Sequence, residues 1–244
     1  MYIKVLLFSL LSFSSYSAEQ LKFAVYDPGF PPYLFINEAQ QIKGIIPDLL
    51  QSFADEQSIA LDYVIDNRQG GEQRLYEGLV DVMVLSPPWT RHPEQLLFTD
   101  EILPYTDYLF KLDKSNKNTQ WQPGNRVCTR EYYVYPTLKE QFASNQLLRL
   151  DASSEETQLR MLENGRCDFA YLNELIGYWL LQERFPHLFL TTIEQNKAVD
   201  SLKLALIPTK ASVLPSLNAH IAAQKQNGNL RSIVRKYVRT LPKQ

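Results

Sequence analysis

The chain has 244 residues, 45% of them hydrophobic and 21% charged, which suits a folded soluble protein and argues against extensive disorder. Lys+Arg 25 against Asp+Glu 27 leave a net charge of -2 with no long run of one sign. No nucleic-acid partner is expected, because such binders carry a concentrated basic face.

Read in chain order, Met1 to Ser17 has the layout of a signal peptide. Lys4 supplies a positive start, and the apolar run Val5 to Phe13 is too short to cross a bilayer of about 30 Å as a helix. Ser15 and Ser17 place small residues before a cleavage point, so the mature chain is expected outside the cytoplasm, in the periplasm. Export gives Cys128 and Cys167 a meaning, since an oxidising compartment favours a bridge between them; two buried free thiols are the alternative.

Leu21 to Val25 alternates like a strand and runs into the turn-rich Asp27-Pro-Gly-Phe-Pro-Pro32. Ile46, Leu49, Leu50, Phe53 and Ala54 recur at helical spacing. Leu61 to Ile65 reads as a strand, Gln73 to Glu77 as a helix, and Val80 to Leu85 as a buried strand. Asp113 to Gly124 is polar and reads as a loop. Arg126 to Cys128 is the next strand, and Pro136 suits a first helical turn. Ser153-Ser-Glu-Glu156 resembles a capping box, and Cys167 to Leu172 is another strand. Leu230, Ile233, Val234, Tyr237 and Val238 form the stripe of a C-terminal helix. Strands alternating with helices imply an α/β fold with largely parallel sheets. Glu77-Gly-Leu-Val-Asp81 and Asn164-Gly-Arg-Cys-Asp168 share Gly-x-x-Asp between a helix and a buried strand, which suggests two lobes on one plan.

Several chemistries lack their motifs. There is no Gly-rich phosphate loop, no Gly-x-Ser-x-Gly elbow, and no metal-ligand spacing among His92, His187 and His220. Neither a cofactor nor a metal is expected. In open α/β sheets ligands sit beyond the carboxyl ends of the strands. Five residues past each Gly-x-x-Asp aspartate stand Ser86 and Asn173, with Arg91 close behind the first. A hydroxyl, an amide and a guanidinium around a cleft suit a small polar or anionic ligand.

Phe30-Pro-Pro-Tyr33, Gly44 before a helix, the Asp81 strand, Ser86, Arg91 and Phe98-Thr-Asp100 resemble the first lobe of the family 3 extracellular solute-binding proteins, receptors of polar amino-acid ABC importers. Pro208-Thr-Lys-Ala, Leu217-Asn218, Asn227-Gly228 and Leu230 to Tyr237 resemble that family's ending. The resemblance implies a type II two-lobed binding protein with two crossing strands, near Leu103–Leu109 and Val199–Lys203. The implied organisation is a signal peptide over 1–17, lobe 1 over 18–105 and 201–244, and lobe 2 over 106–200, with both cysteines in lobe 2. It implies a monomer that captures a small polar solute, not an enzyme, with a membrane permease or sensor as partner. Cyclohexadienyl dehydratases also look like this family.

By the same resemblance Phe30 packs over the ligand, Asp27 is a polar neighbour, and Ser86 and Arg91 hold a ligand carboxylate. Three departures stand out. Asn173 occupies the position of the Asp that pairs with a ligand ammonium, and Arg68 falls near that of a second aromatic. Thr129-Arg-Glu-Tyr-Tyr-Val-Tyr135 replaces a Gly-Thr/Ser loop; its tyrosines stack a ligand or form lobe core, and Arg130 adds a second anion contact.

Overall fold

The structure is a computed structural model and describes residues 20–113 and 120–239. The expected signal peptide lies outside the described residues, as do 114–119 of the expected loop. The chain begins with β1 (Gln20–Tyr26), a small hairpin of β2 (Phe35–Ile36) and β3 (Ile42–Lys43), α1 (Ile45–Gln57), β4 (Ala60–Asp66), α2 (Arg68–Tyr76), β5 (Val82–Val84) and β6 (Leu97–Phe98). Two long strands then bracket the middle of the chain. The first is β7 (Leu103–Leu112), followed by β8 (Asn125–Arg130), α3 (Lys139–Ala143), β9 (Leu147–Ala152), α4 (Glu155–Glu163), β10 (Phe169–Asn173) and α5 (Glu174–Glu183). The second is β11 (Leu190–Leu202), leading to β12 (Leu204–Leu206), α6 (Leu214–Gln226) and α7 (Asn229–Tyr237).

These elements make two mixed sheets flanked by helices, ordered β4-β1-β5-β12-β6 and β11-β7-β10-β8-β9. β7 and β11 pair antiparallel from Leu103↔Leu202 to Leu112↔Leu190, and each connects directly to a strand of the first sheet.

The Gly-x-x-Asp echo has a common structure. Gly78 and Gly165 take φ values of 70° and 66°, the left-handed region that ends a helix at little cost only for glycine. Asp81 then accepts the Lys22 N–H at 2.8 Å, and Asp168 accepts the Arg126 N–H at 2.7 Å. Each aspartate thus ties the strand it precedes to a parallel neighbour, β5 to β1 and β10 to β8. The second helix begins at Arg68, earlier than the periodicity suggests, because the Asn67 side chain caps it by accepting the Gly70 N–H at 2.8 Å. Gly70 and Gly71 weaken helix propensity in that first turn and conceal its start.

The cores follow the expected stripes. Leu49, Leu50 and Phe53 of α1 are buried, and so are Leu230, Val234 and Val238 at the chain's end, where α7 packs on α1 and α6. Cys128 and Cys167 form a disulfide with Cα atoms 5.7 Å apart, within the usual range for a bridge.

Candidate ligand-binding site

The site grows from strand ends. The last residue of β1, Tyr26, donates its hydroxyl to the Val84 carbonyl and stacks on Phe30 at 5.1 Å. The segment after it is clamped to the start of α1, where the Ile45 and Ile46 N–H groups donate to the Pro32 and Tyr33 carbonyls at 2.9 and 3.0 Å. That clamp satisfies otherwise orphaned helix donors and requires Gly44, at φ 133°, because a Cβ there would lie 2.4 Å from the Tyr33 oxygen. Tyr33 therefore points across the cleft, and its hydroxyl donates to Asn173 Oδ1 of the other lobe at 2.8 Å.

Arg68, at the first position of α2, is buried. Its terminal nitrogens donate to Glu72 Oε2 at 2.5 Å and to the Trp89 carbonyl at 2.8 Å, and its guanidinium lies 5.7 Å from the Tyr26 ring centroid. Trp89 stands in the Pro87–Trp89 turn and meets Tyr105 edge-on at 4.7 Å.

The second lobe contributes its own strand ends. Arg130 closes β8 and pairs with Glu155, the first residue of α4; both are buried. The same guanidinium donates to the carbonyls of Gly29 at 3.1 Å and Pro28 at 2.5 Å, so it bridges the lobes. Burial holds the Glu155 carboxyl above its ordinary range although Arg130 opposes the shift. Asn173 ends β10 and caps α5 by accepting the Leu175 N–H at 3.0 Å, and its Nδ2 donates to the Thr106 carbonyl at 3.1 Å.

Between these groups lies a cavity of about 50 Å³. Tyr26, Phe30, Arg68 and Trp89 line it from the first lobe, Tyr105 and Asp107 from β7, and Tyr133, Tyr135, Glu155, Gln158 and Asn173 from the second. Aromatic walls with a few polar groups are the common lining of a small-molecule site, although the volume here is well below the roughly 300 Å³ at which such pockets begin. Asp107 is its most perturbed acid. Burial, reinforced by the negative charges of Asp200 and Glu155, pushes its carboxyl up to about 8. A wider groove of about 630 Å³ lies beyond the Tyr33–Asn173 bond, edged by Glu101 and by the exposed Lys225, Arg231 and Arg235. Its long, exposed cationic rim resembles surface rather than a shaped site, and the smaller cavity holds the convergent buried polar groups.

The structure brings some expected residues together and separates others. Phe30 and Asn173 line the cavity. Arg130 sits beside it, committed to Glu155 and to the opposite lobe. Ser86 is buried and does not line it, because its hydroxyl is spent on the Ser201 carbonyl at 2.5 Å. Asp27 and Arg91 are exposed and do not line it. The turn at Pro87–Trp89 aims Trp89 inward and leaves Arg91 outside, so the first-lobe guanidinium in the cavity is that of Arg68.

Sequence reasoning missed Trp89, Tyr105, Asp107, Glu155 and Gln158. A signal existed for Asp107. Tyr105, Asp107 and Leu109 alternate on one face of β7, and an acid in that series is out of place unless it faces a polar site.

Comparison with known proteins sharpens the assignment. A search of curated proteins finds no match. Solved structures share the fold. A substrate-binding protein of an amino-acid ABC transporter aligns with TM-score 0.75 and 18% identity, over 91% of this chain and 100% of that one. An ABC-transporter binding component from Wolinella succinogenes, complexed with lysine, gives TM-score 0.77 and 15% identity over 89% and 95%. The GluR0 ligand-binding core with L-glutamate gives TM-score 0.73 and 17% identity over 91% and 99%. The profile of the bacterial extracellular solute-binding proteins, family 3, matches residues 23–240, and the chain belongs to that family.

Proposed function

We propose that this protein is a periplasmic solute receptor that captures a small polar molecule by closing its two lobes and presents the closed form to a membrane partner, an ABC-importer permease. The observation that carries the reading is the cavity lined from both lobes and from β7. A solute there bonds to both lobes only when they close, so its binding energy drives closure. In this reading the lobes are 18–105 with 201–244, and 106–200, while β7 and β11 form the hinge. Phe30 and Asn173 contact the solute, Arg130 latches the lobes, and Ser86 buttresses the strand end. The relatives bound to lysine and to glutamate indicate that the fold accepts solutes of either charge, so specificity resides in this chain's own lining.

The protein binds without turnover, and purified protein is expected to leave prephenate and arogenate unchanged. A sensor partner in place of the permease is the second reading, favoured by the direct bonds from Arg130 to Pro28 and Gly29. These protein-only links lower the free energy of the closed form and suit a receptor whose output is conformational.

The test is a thermal-shift and calorimetric screen of amino acids, small carboxylic acids and amines, read also through tryptophan fluorescence, to which the cavity-lining Trp89 contributes. At least one class is expected to raise Tm and change the emission, and Phe30→Ala is expected to weaken that solute at least tenfold. A screen in which nothing binds, or full binding by the Phe30 variant, counts against the reading.

A further inference from the structure

We infer that Asp107, on the hinge strand β7, holds the positive centre of the solute and so selects solutes of net positive charge. This deepens the binding reading above and rests on it. The charges of the site give the first argument. Arg68 is paired with Glu72, and Arg130 is paired with Glu155. Asp107 is the acid left without a cation: it lines the same cavity, and the charged groups acting on it are the acids Asp200 from β11 and Glu155 from α4. Its other titratable neighbours are Tyr33 and Tyr105 on the first-lobe side and Tyr135 and Tyr171 in the second lobe, all neutral phenols. Among the described residues no cation balances it. Ionising a buried acid that has no counter-charge is costly, and a cationic partner removes that cost.

Unmade hydrogen bonds give the second. Gln158 donates its Nε2 to the Cys128 and Tyr171 carbonyls at 2.9 and 3.2 Å, which fixes the amide and leaves Oε1 buried without a partner among the described residues. The Tyr133 hydroxyl is likewise buried and unpartnered. Both residues line the cavity with Asp107. Acceptors on Asp107 and Gln158 and one hydroxyl on Tyr133 fit an occupant that donates from a charged nitrogen and accepts at another atom. The aromatic walls favour such a cation through their ring faces.

Position gives the third. Asp107 is the register partner of Asn173, so the two side chains share one face of the sheet. The amide of Asn173 is committed to capping α5 and to Tyr33. The neighbouring strand therefore supplies the carboxylate.

The test titrates L-arginine, L-lysine, ethanolamine and tyramine into the protein by calorimetry, against the zwitterions L-citrulline and L-norleucine, which carry no net charge, and anionic L-glutamate and succinate. At least one cation is expected to bind 100-fold more tightly than its counterpart without net charge. Asp107→Asn, an isostere of the protonated acid, is expected to lose that preference while melting cooperatively. Titration at pH 7 in phosphate and in Tris is expected to show release of close to one proton per bound cation, absent in the variant, because an acid held at about 8 must ionise to pair. Preferential binding of glutamate, succinate or a probe without net charge overturns this inference and leaves the receptor reading standing. Binding of a cation with no loss in Asp107→Asn overturns it as well. No binding by any probe overturns both.

Discussion

Asp107 makes the site sensitive to pH. An ordinary aspartate releases its proton near 3.8, whereas this one holds it to about 8. Between those values the folded chain carries a proton that the unfolded chain has lost. The contribution of this group to stability is therefore complete below about 4, declines as pH rises, and is gone above about 8. Asp107→Asn is expected to melt with the native chain near pH 4 and above it at pH 8. Thermal melts from pH 4 to 8 check this, and parallel curves for the two proteins would refute it. The same scale shows why the site was hard to read. Arg68 looks like an ordinary helix-surface cation, yet it is buried, over the Tyr26 ring and bonded to the carbonyl of Trp89 from a different loop. The family resemblance implies a carboxylate clamp at Arg91, but its direction depends on a turn that the local sequence does not encode.

Among the elements, β10 and α5 meet at one side chain. Asn173 accepts from the helix's first N–H groups, receives the Tyr33 hydroxyl and donates to the β7 backbone. Asn173→Ala is expected to lose about 1–2 kcal/mol of cap energy and to leave the Tyr33 hydroxyl without its acceptor. Urea unfolding measures the loss, and an unchanged midpoint would remove the cap from the account. Much at this scale was legible. The paired Gly-x-x-Asp sequences mark the same turn and the same aspartate-to-backbone bond in both lobes. Leu49, Leu50 and Phe53 fall where their spacing puts them. Local pattern specified these because each is settled within one turn or one strand pair. The cavity is assembled from residues far apart in the chain: the count to the strand ends reached Asn173, and the whole-chain resemblance pointed to Phe30.

For the whole molecule, the disulfide ties β8 to the residues entering β10 and closes a 39-residue separation within the second lobe. In the chain-entropy picture this stabilises by roughly 4 kcal/mol. At about 2–4 °C per kcal/mol for a chain of this size, reduction is expected to lower Tm by roughly 8–16 °C. Melts with and without reductant, repeated on Cys128→Ala/Cys167→Ala, check it; a shift shared by that double variant would assign the effect to the reductant. In the proposed reading, closure bends the two strands that lead between the first sheet and the second, β7 and β11.

Those strands include β7, and its register sets Asp107 beside Asn173. A molecule lodged there presses on the pivot as well as on the jaws. Recognition and motion then share one lever arm, so exchanging a single acid at the fulcrum changes both what is gripped and how readily the grip lets go.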